Sequence, residues 1–226
     1  MNSVLALFPE NPVLAACLAA LIAVGIGYLL GCSNMAYYLS RARGVDLRAG
    51  GSGNLGASNA MALLGWKAAI LVGLHDILKA VAAVLIARAL FPQVPALAAA
   101  AGSASVFGHI FPFWLRFRGG KGFAPFIGIA VALNWKFGLA LMAAVAVITL
   151  LSDYIVFGTF TSILVTPIFF GVLHRDLPTA LIIAAASLLI LWKHRENIVR
   201  LRSGTEIGLR RANRGDERID RKERKK

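Results

Sequence analysis

Charged residues are scarce in this chain: Asp, Glu, Lys and Arg make up 15% of its 226 residues, whereas 58% are hydrophobic. The mean hydropathy of +0.71 excludes an ordinary soluble domain. Because lipid cannot satisfy unpaired backbone groups, we expect an all-α, polytopic membrane helix bundle. Cysteine is also rare. Cys17 and Cys32 are the two present, and at ~1.5 Å per residue of helix they lie about 22 Å apart, too far for a disulfide.

The N-terminal segment lacks a basic n-region and an early cleavage site, so we expect the first apolar run to be a retained helix rather than a signal peptide. The net charge of +13 would indicate nucleic-acid binding in a soluble protein. Here the residues from Lys193 onward contribute +7 of it, as 13 Lys/Arg less 6 Asp/Glu. Such a segment is typical of the inner membrane face, which predicts membrane lipid and no nucleic acid as its partner.

Seven apolar stretches are candidate spans. They lie at about 13–39, 67–90, 94–114, 123–135, 137–151, 154–173 and 178–193. The fourth and fifth are the weakest, because they fall short of the ~20 residues of a perpendicular span. Together these two stretches are compatible with a tight hairpin or with tilted half-spans.

Basic residues are concentrated in three connections: 40–66, 116–122 and the segment after the last stretch. Seven spans with the N-terminus outside and the C-terminus in the cytoplasm put all three on the cytoplasmic side, as the positive-inside rule requires. The sequence therefore predicts a seven-span transmembrane domain at 1–209. It also predicts a basic, disordered cytoplasmic tail at 210–226.

The first glycine-rich polar segment, at 48–59, reads Arg-Ala-Gly-Gly-Ser-Gly-Asn-Leu-Gly-Ala-Ser-Asn. Glycine permits the φ > 0 turns that gather backbone N–H groups around an anion, and Arg supplies positive charge. The alternative is a flexible turn between helices, but a linker would not need two Asn, two Ser and an Arg. We predict that its substrate-binding residues are Arg48, Ser52, Gly53, Asn54, Gly56, Ser58 and Asn59.

The second segment, at 116–122, reads Arg-Phe-Arg-Gly-Gly-Lys-Gly. It is not a nucleotide-binding P-loop, because no strand precedes it and no Ser or Thr follows the lysine. We predict that Lys121 is catalytic and that Gly119, Gly120 and Gly122 bind phosphate. The alternative is a basic loop that only sets the membrane topology.

A third group of polar residues follows the last apolar stretch. His194 and Asn197 are i, i+3 neighbours on one face of a continuing helix, and Glu206 follows nine residues later. We predict that His194 and Asn197 are catalytic and that Glu206 binds substrate. The alternative for His194 is a simple interfacial anchor.

Four ionisable residues fall inside the apolar stretches: His75, Asp76, Lys79 and His109. Charges at membrane depth are costly and face the interior of the bundle. Asp76 and Lys79 are spaced i, i+3, which favours a structural ion pair as much as a catalytic role. We include His109 among the predicted substrate-binding residues.

Four segments together resemble the bacterial acyl-phosphate:glycerol-3-phosphate acyltransferases. They are Gly51-Ser-Gly-Asn-Leu-Gly-Ala-Ser-Asn59, Gly108-His-Ile-Phe-Pro112, Gly119-Gly-Lys-Gly122 and His194-Arg-Glu-Asn-Ile198 with Gly204-Thr-Glu206. Their order and spacing are also similar to that family over nearly the whole chain. The resemblance implies a multi-pass enzyme of the bacterial cytoplasmic (inner) membrane, without a cofactor, whose active site faces the cytoplasm.

The reaction that the resemblance implies moves a fatty acyl group from acyl phosphate to the sn-1 hydroxyl of glycerol 3-phosphate, giving lysophosphatidate for phospholipid synthesis. The residues agree with this chemistry, because two anion-binding loops beside apolar helices suit two phosphate-bearing substrates. Acyl phosphate carries a good leaving group, so positioning and charge neutralisation matter more than strong acid catalysis. The proton of the hydroxyl passes to His194 or, as the resemblance implies, to an oxygen of the donor phosphate.

The chain departs from the family pattern at several positions. They are Cys32, Pro125, Phe126, Asp153 and Val156. Lost hydroxyls and a lost arginine near a phosphate site favour, as an alternative, a homologue that acylates another phosphorylated acceptor. A second alternative is a small anion transporter, but the chain has no visible inverted repeat and its glycines lie in loops.

Overall fold

The computed structural model describes residues 11–210 and consists of helices joined by loops, with no strand in that range. The predicted all-α class is therefore confirmed. In chain order the helices are α1 (Pro12–Gly31), α2 (Met35–Ala42), α3 (Ala57–Leu64), α4 (Trp66–Leu90), α5 (Pro95–Ile110), α6 (Phe123–Leu133), α7 (Trp135–Ser152), α8 (Ile155–Ile168), α9 (Leu177–Lys193) and α10 (Arg195–Arg202). A 3₁₀ turn at Phe113–Leu115 follows α5, and a π-helical turn at Phe169–Leu173 extends α8.

Five segments of the described chain are long and apolar enough to cross a membrane. They are Pro12–Ala42, Trp66–Leu90, Pro95–Leu115, Trp135–Ser152 and Ile155–Leu173. The pair α9 and α10 makes a sixth if it counts as one span, although it is bent by 48°. α6 has only 11 residues, about 16 Å at ~1.5 Å each, which is half of a hydrocarbon core. The count therefore stays below the seven spans that the sequence predicts.

The starts of four helices are encoded by capping residues, and Asn34, before α2, accepts from the N–H of Tyr37 at 2.9 Å. The side-chain Oδ1 atoms of Asn11, Asn134 and Asp176 each accept a hydrogen bond from the backbone N–H three residues later, at 3.0 to 3.1 Å. Each bond satisfies a donor that the first turn of a helix leaves unpaired. Pro12 and Pro95 stand at the first positions of α1 and α5, where no backbone donor is needed. The four side-chain caps fix the starts of α1, α2, α7 and α9.

Helix α1 packs along α5 more extensively than any other helix pair in the described range. Three glycines make this close approach possible: a Cβ at Gly27, Gly31 or Gly108 would overlap the backbone of the facing helix. Helices in lipid gain little from burying apolar side chains against each other, so close contact between small residues stabilises their association. The pairing fixes the end of α5, from which the second glycine-rich segment departs.

The turn between α7 and α8 is tied to the end of the described chain. The backbone N–H of Leu209 donates to the carbonyl oxygen of Asp153 at 2.7 Å, and that of Arg210 donates to Asp153 Oδ1 at 3.0 Å. Arg210, the first residue of the predicted tail, is thus held by the helical unit. The rest of the predicted tail, 211–226, lies outside the described residues, and its disorder stays a prediction.

The α1–α5 contact gives the first testable expectation. Gly31→Ala introduces a methyl group into the backbone of α5, and such overpacking costs about 1–3 kcal/mol, so the melting temperature in detergent should fall clearly. Gly25→Ala on the same helix is the matched control, because its Cβ would meet no atom within 4 Å. Equal melting temperatures for the two variants would show that α1 and α5 are not tightly packed.

Candidate active site

The first glycine-rich segment forms a loop before α3, and the side chain of Asn59 holds that loop in shape. Asn59 is 1% exposed. Its Oδ1 accepts from the N–H of Ser52 at 2.8 Å, and its Nδ2 donates to the carbonyl of Leu47 at 2.7 Å and to that of Gly50 at 3.3 Å. Gly53 lies in the left-handed region, with φ of 66°. The oxygen and the nitrogen of the buried Asn59 side chain thus both bind the loop backbone and fix the position of Ser52.

The second segment turns back on the end of α5 and presents Lys121. The N–H of Gly119 donates to the carbonyl of Ile110 at 3.1 Å, and that of Gly120 donates to the carbonyl of His109 at 3.0 Å. A Cβ at Gly120 would collide with the imidazole of His109, so this position must be glycine for the loop to lie there. The loop ends at Gly122, whose φ of 90° starts α6.

The third group lies at the bend between α9 and α10. The Nδ1 of His194 lies 2.8 Å from the carbonyl oxygen of Ile190. Since a carbonyl oxygen only accepts, Nδ1 carries the hydrogen, and in the neutral ring Nε2 is an acceptor. Asn197 follows one turn later and is 7% exposed.

A chain of hydrogen bonds joins the second and third groups. Lys121 Nζ donates to Asn197 Oδ1, and Asn197 Nδ2 donates to Glu206 Oε1 at 2.9 Å. Arg200 Nε then donates to Glu206 Oε2 at 2.6 Å as an ion pair. The alternation of cation, amide, carboxylate and cation orients the Asn197 side chain and fixes the ammonium of Lys121.

The three groups meet around a cavity of about 520 Å³. Nine of the fifteen predicted site residues line it: Ser52, Asn54, Gly56, Ser58, Lys121, Gly122, His194, Asn197 and Glu206. The rest of its wall is largely apolar and comes from α3, α4, α6, α7, α8 and the segment after α10. A cavity with hydroxyls, amides and an ammonium beside an apolar wall suits a ligand that has an anionic head and a hydrocarbon chain.

Six predicted site residues do not line this cavity: Arg48, Gly53, Asn59, His109, Gly119 and Gly120. Asn59 and the three glycines shape the two loops, and contact of these six residues with substrate stays a prediction. Arg48 lies 5.7 Å over the ring of Tyr37 and 3.5 Å from Asp46 Oδ1. The N–H of Arg48 also donates to Asp46 Oδ1, which lowers the pKa of that carboxyl.

His109 belongs instead to a buried polar cluster behind the second loop. Lys79 Nζ lies 2.8 Å from Asp76 Oδ1, which is the ion pair that the i, i+3 spacing predicts. The same ammonium donates to the carbonyl of Ser33 at 2.7 Å and to His109 Nδ1 at 2.9 Å. His75 closes the cluster, with Nε2 at 3.0 Å from Ser33 Oγ. His109 thereby supports the loop of Lys121 rather than the cavity.

The sequence interpretation missed the apolar half of the cavity. One face of α7 forms much of it, through Met142, Val145, Ala146, Thr149 and Leu150. The spacing i, i+3, i+4, i+7, i+8 was a readable signal of one helical face, but it does not say which neighbour that face meets.

Among the departures from the family pattern, Val156 lines the cavity, whereas Phe126 is fully buried in the core. Among residues 11–210, no group of three or more His, Cys, Asp or Glu is placed to hold a metal ion.

Fold and site together define a class: a multi-pass helical membrane protein with an anion-suited cavity at one end of its bundle. The family model described as glycerol-3-phosphate acyltransferase matches residues 21–204. The chain belongs to the glycerol-3-phosphate acyltransferase family.

Individual relatives agree with this assignment. The chain is 42% identical to a glycerol-3-phosphate acyltransferase of Rubrobacter xylanophilus, over 80% of this chain and 90% of the relative. It is 41% identical to glycerol-3-phosphate acyltransferase 1 of Deinococcus radiodurans, over 84% and 95%. Its fold is similar to the crystal structure of PlsY (YgiH), an integral membrane glycerol 3-phosphate acyltransferase, in its glycerol 3-phosphate form. That match has a TM-score of 0.79 and 34% identity, over 84% of this chain and 95% of that one.

The buried amide of Asn59 gives a prediction about the first loop. Asn59→Asp removes both donors to the carbonyls of Leu47 and Gly50, and each buried group left unpaired costs about 1–3 kcal/mol, so thermal stability should drop strongly. Asn54→Asp, the same change at a residue lining the open cavity, should alter the melting temperature far less. A comparable drop in both variants would contradict the role assigned to Asn59.

Proposed function

We propose that this chain transfers a fatty acyl group from acyl phosphate to the sn-1 hydroxyl of glycerol 3-phosphate and releases lysophosphatidate. One observation carries the proposal: three motifs distant in sequence converge on a cavity that is polar on one side and apolar on the other. Family membership supports the acyltransferase over the anion transporter. The glycerol 3-phosphate and lysophosphatidic acid forms of PlsY support the proposed acceptor and product.

The polar side of the cavity would hold the phosphate groups. Lys121 contributes an ammonium, and Ser52, Asn54 and Ser58 contribute short polar side chains from the first loop. Lys121 is already oriented by Asn197 before any substrate arrives, so little conformational freedom is lost on binding. Charge neutralisation by a fixed cation acts both on the bound phosphate and on the negative charge that develops during acyl transfer.

The bond changes are simple. The sn-1 hydroxyl oxygen attacks the acyl carbonyl carbon, the bond from that carbon to the phosphate oxygen breaks, and inorganic phosphate leaves. Two groups can accept the hydroxyl proton: His194 Nε2, which its Nδ1 bond to Ile190 leaves as an acceptor, and an oxygen of the departing phosphate. Either route requires the two substrates to be held in the correct relative position. The hydrogen bonds that connect Lys121, Asn197 and Glu206 support this by fixing the polar side chains of the cavity.

The topology belongs to the same proposal. We propose seven spans in a domain at 1–209, with α6 acting as a short or tilted crossing, the N-terminus outside and the C-terminus in the cytoplasm. The cavity then faces the cytoplasm of a bacterial inner membrane, where glycerol 3-phosphate is soluble and the acyl chain lies in lipid. This orientation is supported by the basic residues in the connections 40–66 and 116–122 and in the tail at 210–226. On the cytoplasmic side, these residues would also bind anionic lipid headgroups.

A direct assay tests the proposal. Purified protein in detergent is given palmitoyl phosphate and radiolabelled glycerol 3-phosphate, and the products are resolved by mass spectrometry. An enzyme should form lysophosphatidate in detergent solution. A transporter would form no product, because its activity needs two compartments separated by a membrane. A pool of other polyol phosphates in the same assay tests the alternative acceptor. If none of these acceptors is acylated, the proposed activity is wrong.

Lys121→Ala should reduce turnover by several orders of magnitude while the protein stays folded, because the cation that meets phosphate is lost. Lys136→Ala is the matched control, since Lys136 is exposed beside Trp135 and does not line the cavity. Turnover at matched amounts of folded protein decides the question. Wild-type rates in Lys121→Ala would remove this residue from the site.

Replacing Asn197 by Asp should harm activity more than replacing it by Ala. Asp would place a carboxylate about where Nδ2 now lies 2.9 Å from Glu206, and it would also repel the substrate phosphate. Ala only removes hydrogen bonds, worth ~0.5–1.5 kcal/mol for neutral partners and ~1.5–3 for charged ones. Kinetics of both variants at matched expression measure the difference, and near-wild-type activity in both would place Asn197 outside the reaction.

A further inference from the structure

The segment Glu206–Arg210, here called the strap, crosses the side of the cavity between two anchors. The first anchor is on α10. Glu206 accepts from Asn197 Nδ2 at 2.9 Å and from Arg200 Nε at 2.6 Å, and its own N–H donates to the carbonyl of Arg200 at 3.1 Å. This end of the strap therefore joins the polar side of the cavity.

The second anchor is Asp153, at the turn between α7 and α8. Its carbonyl accepts from the N–H of Leu209 at 2.7 Å, and its Oδ1 accepts from the N–H of Arg210 at 3.0 Å. The Arg210 guanidinium adds a bond from Nη2 to the carbonyl of Leu150 at 3.2 Å. Asp153 has φ of 68°, a conformation that Asp, Asn and Gly adopt most readily.

Between the anchors, Ile207, Gly208 and Leu209 form part of the cavity wall. A Cβ at Gly208 would collide with the carboxylate of Asp153, so the strap passes directly over that side chain. Because Gly208 has no side chain, the strap can lie close against the α7–α8 turn, and the two anchors hold it there.

The strap faces the apolar half of the cavity. The lining face of α7 runs from Met142 to Leu150, which are eight steps of ~1.5 Å or about 12 Å apart along the helix. Tyr154 and Ile155 continue it at the start of α8. The polar side chains that suit phosphate lie on the other side, on the loops of Ser52 and Lys121. Release of the Leu209–Arg210 end from Asp153 would open the apolar wall, while Glu206 stays bonded to Asn197 and Arg200 at the polar side.

We propose that Asp153 is a positioning residue that holds the strap over the acyl-chain half of the cavity and thereby sets the affinity for the acyl donor. The inference rests on the proposed function, since it assigns the apolar wall to the acyl chain of that reaction. Asp153 does not itself line the cavity. Its effect passes through Leu209 and Arg210 to the wall.

Two substitutions separate the side chain from the backbone geometry. Asp153→Gly keeps the positive φ and the carbonyl that accepts from Leu209, but it removes the carboxylate. Asp153→Asn keeps an Oδ1 acceptor for the N–H of Arg210 and loses only the charge. Asp176→Asn is the control: Asp176 caps α9 at the end opposite His194, and Asn caps equally well.

The experiment measures kcat and both KM values with palmitoyl phosphate and glycerol 3-phosphate. Asp153→Gly should raise the KM for palmitoyl phosphate by about tenfold, as expected when a bound chain loses part of its enclosure, with the KM for glycerol 3-phosphate unchanged. Asp153→Asn should have a smaller effect in the same direction, and Asp176→Asn none. A purely structural role would lower the folded fraction and leave KM unaltered.

Three outcomes would overturn the inference: an unchanged KM for palmitoyl phosphate in Asp153→Gly, an equal rise in both KM values, or the same rise in Asp176→Asn. Melting temperatures and elution profiles of each variant establish that folded protein is compared. Wild-type turnover in the same assay reports on the proposed function separately. Failure of the strap inference with an active wild type leaves that function intact.

Discussion

Lys121 and Asn197 lie 76 residues apart in sequence, and a hydrogen bond between their side chains joins two parts of the cavity. The lysine is carried by a glycine-rich loop that has no helical structure of its own, so its ammonium needs a partner to hold one position. Asn197 supplies the acceptor and is oriented in turn by Glu206 and Arg200. A cation fixed in this way before binding can neutralise phosphate charge without first reorganising. The geometry of the polar side of the cavity depends on this contact.

The loop that carries Lys121 depends in turn on charges buried in the helix bundle. Asp76, Lys79 and His109 contact one another within the spans α4 and α5, where unpaired charges would be strongly unfavourable. The carbonyl of His109 accepts from Gly120, and its ring occupies the space that a Cβ there would need. The cluster therefore acts on the cavity through packing and backbone hydrogen bonds rather than by contact with substrate.

Sequence reasoning identified the three polar groups, because glycines, short polar side chains and cations interrupt the apolar runs so clearly. It could not separate residues that face the cavity from residues that shape its loops. Ser52 and Asn59 belong to the same motif, yet Ser52 lines the cavity, whereas the side chain of Asn59 forms hydrogen bonds with the backbone of three residues. That division depends on the path of the loop, which no local pattern encodes. The apolar wall was missed for the same reason, since lipid-facing and cavity-facing apolar residues look alike in a sequence.

The sequence by itself determined the helical membrane class, the motifs and the family resemblance, because hydropathy and glycine-rich segments are local properties. It also determined the helix starts, through caps such as Asn134 and Asp176. Only the tertiary structure decided that His109 supports a loop and that Asp153 holds Leu209 and Arg210. Each of these depends on contacts between segments distant in the chain. Such contacts follow from how the helices pack, because packing selects which faces and which loop ends meet.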